Sequence, residues 1–202
     1  SGGEISGNSS LYGNSSGVYV NGGEFIMSGG SITGNAGYGV YLCDYKNNFG
    51  DTCPGAFTVS GKVSVTGNYK NVYNNGTLVG TLDYNVFLST GKTITVEGTL
   101  DAASKIGIST QGEASADIAT GGVGEDYDKI FSSDVKDKGY SFTKKDDGTL
   151  RFNGHDHNWQ FTATTEMIKA KCTAPNCPVT APGSDEYNGG SVRLKVENTT
   201  YG

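Results

Sequence analysis

Apolar residues alternate with polar ones in short runs along this chain, and glycine or asparagine separates the runs. In 24–28, Phe25 and Met27 fall on one face of an extended strand, as do Val18 with Val20 and Val40 with Leu42. The runs at 85–88, 92–100 and 105–108 predict further strands, with Ile94 and Val96 sharing a face. Glycines every three to seven residues mark the bends between them.

The runs also repeat. Ser-Gly-Gly-Glu-Ile-Ser-Gly-Asn at 1–8 returns as Ser-Gly-Gly-Ser-Ile-Thr-Gly-Asn at 28–35, and again as Ser-Gly-Lys-Val-Ser-Val-Thr-Gly-Asn at 60–68. Gly-Val-Tyr-Val at 17–20 returns as Gly-Val-Tyr-Leu at 39–42. Overlaying the units sets Phe25 on Phe57, Met27 on Val59 and Ile32 on Val65. Self-similarity at such a period is the signature of a solenoid. One unit buries three or four large side chains, at ~1.5–3 kcal/mol each. Ordering its backbone costs ~1–2 kcal/mol per residue, so the units must stack to fold.

The expected fold is therefore all-β: a right-handed parallel β-helix over 1–109, a transition and hairpin cap over 110–154, and a small β-module over 155–202. Asn8, Asn35 and Asn68 occupy equivalent corners, where stacked side-chain amides can bond in a ladder. A helical turn is expected near 126–131. A hairpin is expected from runs at 140–143 and 149–152 around Asp146-Asp147-Gly148, because Asp-Gly between alternating runs is a hairpin signal. The last module should hold strands at 155–161, 167–172 and 191–196.

The second unit carries about ten extra residues between Leu42 and Phe57. They read as a projecting loop tied at its base by a Cys43–Cys53 disulfide, contributing ~2–3 kcal/mol in the chain-entropy model. Insertions in solenoids often land on the binding face. A second local pair, Cys172 and Cys177, comes after His155 and His157. Two imidazoles on one strand face with two thiolates make a complete tetrahedral zinc set. A Cys172–Cys177 disulfide beside two surface histidines, or a pair of free thiols, accounts for the same residues. Either role is structural, since four protein ligands leave no open position for water.

Composition narrows the function classes. The formal charge of −6 argues against nucleic acid and anionic membranes, which call for basic patches. No apolar run approaches the ~20 residues of a membrane span. No export leader is recognisable, and the chain opens inside a repeat, as a piece of a longer protein would. Cysteines in local pairs within a Gly/Asn/Thr-rich chain suit an extracellular setting.

Parallel β-helices also carry polysaccharide lyases and hydrolases, which need clustered carboxylates. Here Glu4, Glu24, Asp44, Asp51 and Asp83 are scattered, and the only arginines, Arg151 and Arg193, lie outside the repeats. Glu125, Asp126 and Asp128 lack the spacing of a calcium loop and read as a solvated acidic turn. Tyrosine stands at 12 residues against one tryptophan. Tyr12, Tyr38, Tyr41 and Tyr45 are the candidate binding residues, a stacking surface for sugar rings or a protein partner if they face outward.

The units of the form GGxFxMSGGxITGN…GVYL resemble right-handed parallel β-helix proteins on the surface of gut Firmicutes. The stretch NVFLSTGKTITVEGTLDAASKIGIS and the later DYDKIFSSD…GTLRF resemble the segments on the C-terminal side of such repeats in those proteins, and HDHNWQF…IKAKCTAPNC…VRLKV resembles the β-module that comes next. The resemblance implies a non-catalytic, adhesin-like module displayed outside the cell, on its surface or wall. Its partner would be a host or bacterial surface glycan or protein, with no nucleic acid, no membrane insertion and no cofactor beyond a possible structural zinc. A carbohydrate-binding module is the alternative, and a polysaccharide-degrading enzyme ranks third.

Overall fold

The computed structural model describes residues 2–9, 16–111, 115–135, 141–153, 159–163, 168–172 and 180–181. The chain divides into two units, Ser1–Asp156 and His157–Gly202.

In the first unit the chain runs through β1 (Gly3–Ser6), β2 (Ser16–Asn21) and β3 (Gly23–Met27). It continues through β4 (Gly30–Thr33), β5 (Tyr38–Cys43), a short ribbon of β6 (Tyr45–Lys46) and β7 (Thr52–Cys53), and β8 (Gly55–Gly61). Next come β9 (Val63–Val65), the hairpin β10 (Tyr69–Asn74) and β11 (Thr77–Asp83), β12 (Val86–Leu88) and β13 (Ile94–Leu100). The series closes with β14 (Lys105–Thr110), β15 (Ser115–Gly121), the single helical turn α1 (Tyr127–Ile130), β16 (Phe131–Ser133), β17 (Ser141–Lys144) and β18 (Leu150–Asn153).

Pairing tracks the repeat rather than the chain order. Three parallel series form: β1–β4–β9–β14–β16, β2–β5–β12–β14 and β3–β8–β13–β15. The first two are one sheet because β14 pairs with β9 through Lys105 and Ile106 and with β12 through Ile108, Ser109 and Thr110. The fold is all-β with parallel sheets, and among the described residues no sheet closes on itself.

The register is the one the overlay demands: Phe25 opposite Phe57, Met27 opposite Val59, Ile32 opposite Val65. Period-two alternation then puts the same apolar columns inside. Ile32, Val65 and Ile106 are buried in one series, and Val40, Val86 and Ile108 in the next. The third series buries Phe57, Ile94 and Ala119. All belong to one hydrophobic cluster.

Parallel pairing does not stop near residue 109, where the repeat phrase fades. Ala119 pairs with Ile94, and Phe131 with Ile106. Inward apolar positions persist after the glycine-rich phrase is gone, and these positions, not the phrase, hold the strands in register. The Asp146-Asp147-Gly148 hairpin forms, and its strand β18 pairs antiparallel with β15, so β17 and β18 extend that sheet. Phe152 and Leu150 are buried there.

In the second unit, β19 (Trp159–Ala163), β20 (Ile168–Cys172) and β21 (Thr180–Ala181) form an antiparallel sheet. The expected strand at 191–196 lies outside the described residues.

Candidate functional site

Four corner asparagines and Asp134 form a five-member ladder. Asn8 Nδ2 donates to Asn35 Oδ1 at 2.9 Å, Asn35 Nδ2 to Asn68 Oδ1 at 2.7 Å, and Asn68 Nδ2 to Asn85 Oδ1 at 3.2 Å. Asn85 Nδ2 donates to Asp134 Oδ1 at 2.7 Å. Each backbone N–H donates along the same path, from Asn8 to Asn35 Oδ1 and finally from Asn85 to Asp134 Oδ2. Asn35 and Asn68 are fully buried, so these bonds satisfy groups that water cannot reach. The ladder also explains the glycine of Gly-Val-Tyr. A Cβ on Gly39 would lie 2.5 Å from Asn68 Nδ2, and one on Gly107 would lie 2.4 Å from Asn85 Nδ2.

Tyr38 and Tyr41 are brought together with Tyr19 of the same repeated phrase and with two rings, Tyr84 and Phe87, that the sequence pattern did not single out. Tyr19, Tyr41 and Phe87 are registered neighbours on β2, β5 and β12, with ring centroids 5.2 and 4.8 Å apart. Tyr38 stacks on Tyr84 at 4.3 Å and leans on Phe87 at 4.8 Å. Lys70 Nζ stands 5.6 Å from the centre of the Tyr84 ring. Burial, then the neighbouring Tyr84 hydroxyl, pushes the Tyr38 phenol well above its ordinary range. Two pairs are near-parallel stacks, so much of their ring-face area is covered by another ring. Tyr19, at the end of the row, is the exposed member. Tyr45 stands on the separate ribbon of β6 and β7, and Tyr12 lies outside the described residues.

Among the described residues, two excursions leave the parallel strands. The first, 44–54, is the sequence-predicted loop. Asn47 organises its tip: its Oδ1 accepts from the N–H groups of Phe49 and Asp51, both at 2.9 Å, and its Nδ2 donates to Asp51 Oδ2 at 3.0 Å. This fixed turn holds Phe49 91% exposed. At the base, Asp44 accepts from Gly55 N–H at 2.9 Å and pairs with Lys92. The hydrogen bond from Lys92, then that from Gly55, holds the Asp44 carboxyl below its usual range.

The expected Cys43–Cys53 bond is absent, and both residues are free thiols. Cys53 is matched with Tyr45, which leaves Cys43 on the diagonal. Diagonal neighbours stand ~7–8 Å apart, beyond the ~4.4–6.8 Å Cα span of a disulfide. The Cys43 thiol turns instead to the adjoining strand, toward Asn21 Oδ1 at 3.4 Å and Val20 O at 3.6 Å.

The second excursion is the β10–β11 hairpin, a two-stranded sheet of its own. Asn75 (φ 48°) and Gly76 (φ 81°) make its two-residue turn, the left-handed pair that a tight hairpin requires. That Asn-Gly dipeptide is the sequence signal for an element the repeat pattern alone does not reveal. Tyr73, Leu78, Val79 and Leu82 are each more than half exposed.

Asp117 and Glu125 face cations, and Glu24 faces a neutral donor. Asp117 meets Lys145 at 2.8 Å and Arg151 at 3.0 Å, Glu125 meets Lys144 at 2.5 Å, and Glu24 accepts from Thr58 Oγ1 at 3.1 Å. A shallow groove of about 440 Å³ is lined by Gly2, Ser28, Gly29, Ser31, Lys62 and Ser64, a set without carboxylate or imidazole. No cluster of metal-ligating side chains occurs among the described residues. His155, His157, Cys177 and the side chain of Cys172 lie outside them.

No family model matches the chain, and neither a curated protein nor a solved structure does.

Proposed function

We propose that the first unit is a right-handed parallel β-helix, each rung contributing one strand to each parallel series, and that it serves as a non-catalytic, adhesin-like module outside the cell. Three registered series, a shared apolar column and a corner ladder support the stack; parallel crossovers in one sheet are right-handed almost without exception.

One observation carries the binding role. Exposed large apolar side chains concentrate on the two excursions: Phe49 on one, and Tyr73, Leu78, Val79 and Leu82 on the other. The strands of the stack bury most of theirs. Exposed apolar groups gathered on projecting segments mark interaction surfaces, and the turn organised by Asn47 presents Phe49 with little left to order on binding. The partner is then a surface protein or glycan. The aromatic row favours a carbohydrate-binding module as the second reading, with Tyr19 as the ring most open to a sugar.

The test is binding of the purified chain to a glycan array and to intact cells, beside a Phe49→Ser/Tyr73→Ser/Leu78→Ser variant with unchanged circular dichroism and Tm. Loss of binding in the variant is expected. Equal binding by the variant, or release of unsaturated or reducing sugars from polysaccharide, overturns the reading.

A further inference from the structure

The two excursions stand at opposite ends of the same strands. The ribbon of β6 and β7 follows the last residue of β5, and the β10–β11 hairpin ends just before β12, which runs parallel to β5. Between them lies the outer face of β2, β5 and β12. Val20, Val40, Leu42, Val86 and Leu88 are buried, so alternation turns Tyr19, Tyr41 and Phe87 outward. Side-chain contacts cross this face without a break. They run from Lys70 over Tyr84, through Tyr38 and Tyr41, to Tyr19, and Cys43 Sγ points to Tyr19 Oη at 3.8 Å. Tyr19 and Tyr41 are tilted by 39° rather than stacked, which leaves ring face uncovered between them.

A second row runs beside the aromatic one, two residues further along each strand. Asn21 stands opposite Cys43. Ser89 N–H donates to Leu42 O and Gln111 N–H to Leu88 O, both at 3.0 Å, which carries the row on through Ser89 to Gln111. Asn21 and Gln111 are exposed, and Ser89 is half-buried. Neither row holds a carboxylate, an ammonium or a guanidinium.

We infer that this face is the floor of a site for a neutral glycan chain, which lies across the strands with its apolar ring faces on the aromatic row and its hydroxyls on the amides of Asn21 and Gln111. Pyranose rings present an apolar C–H face beside a rim of hydroxyls, and the two rows offer the matching pair of surfaces. Width selects a narrow occupant. β5 is six residues long, so the excursions stand about 20 Å apart. A folded protein partner needs roughly 800 Å² on each side, a patch about 30 Å across. An extended peptide binds a sheet by adding to a strand edge, and β5 and β12 are already paired on both sides. The absence of charge from both rows selects a neutral sugar over a uronate or sulfated one. This inference rests on the carbohydrate-binding reading and gives it a place and a ligand class.

The test is titration calorimetry of the purified chain with neutral oligosaccharides of glucose, xylose, mannose and N-acetylglucosamine, beside an oligogalacturonate. A neutral member should bind, and the oligogalacturonate should not. Asn21→Ala/Gln111→Ala removes only exposed side chains, so it should keep its Tm while weakening the neutral ligand by about tenfold or more. Tyr41→Ala should weaken it at least as much. Equal affinity in both variants overturns this face and leaves the carbohydrate-binding reading standing; binding of no neutral member overturns both. Preference for the oligogalacturonate also overturns the inference, as does a peptide array whose hits lose affinity in the same variants.

Discussion

Asn85 gives both its backbone N–H and its side-chain amide to Asp134, each at 2.7 Å, across 49 residues of sequence. The pair ends a line of hydrogen bonds that starts at Asn8, and it ties the foot of the hairpin to the residue just after β16. Interrupting the line should be expensive because its middle is dry.

Asn68→Leu removes the acceptor for Asn35 N–H and Nδ2 and the donors to Ile32 O and Asn85. Stranding buried polar groups costs roughly 1–3 kcal/mol each, so a loss on the order of 3 kcal/mol is expected from urea denaturation. An equivalent change at exposed Asn48 should leave the midpoint unmoved.

Gly39→Ala and Gly107→Ala should each destabilise by about 2 kcal/mol or more, the cost of overpacking, because the new methyl meets a ladder amide at 2.5 or 2.4 Å. Gly80→Ala, with nothing within 4 Å, should be near neutral. Thermal denaturation of the three variants checks the ranking.

Acid should loosen the hairpin formed by β17 and β18. The hydrogen bond from Lys145, with a further one from Arg151, holds Asp117 below the ordinary carboxylate range. A carboxylate whose folded pKa is depressed adds stability that is complete above its unfolded value of ~3.9 and is lost as pH falls through the folded value. Asp117→Asn should therefore be less stable than the parent at pH 6, with the gap closing as pH falls through the depressed folded value. Urea midpoints from pH 6 down through that range measure it. A constant gap would mean that the charge is not the cause.

Cys43 and Cys53 should both take up iodoacetamide without prior reduction, and Cys53→Ser should leave Tm unchanged, since neither sulfur is bonded to the other. Peptide mass mapping under non-reducing conditions decides this. A linked pair of peptides would contradict the strand match of Cys53 with Tyr45.

Much of the fold was legible because the repeat writes it twice. The match of Phe25 with Phe57 comes from laying one phrase on another, and the rings do sit 5.4 Å apart. Asn8, Asn35 and Asn68 were legible as corners for the same reason. Asn85 and Asp134 were not. Asn85 stands outside any repeated phrase, at the foot of an insertion, and Asp134 fills an asparagine's place with a different residue. Gly107 hid the missing corner, since β14 runs straight through the place where a bend was due. The disulfide was misjudged because sequence distance is silent about strand match: ten residues close a ribbon, but the ribbon pairs Tyr45, not Cys43, with Cys53. Of the tyrosines, Tyr38 and Tyr41 were marked, but their partners Tyr84 and Phe87 became visible only through register.

Asn68 and Asn85 bond to one another at the two feet of the 69–83 hairpin, and Tyr84 N–H closes on Asn68 O at 2.8 Å. These bonds, with the one from Tyr69 N–H to Asn35 O at 3.0 Å, close the junction at the hairpin's foot. Whatever is grown between those feet is free to change in size and chemistry while the scaffold stays as it is, which makes this joint the natural socket for grafting foreign sequence and the place where diversity between related molecules would accumulate.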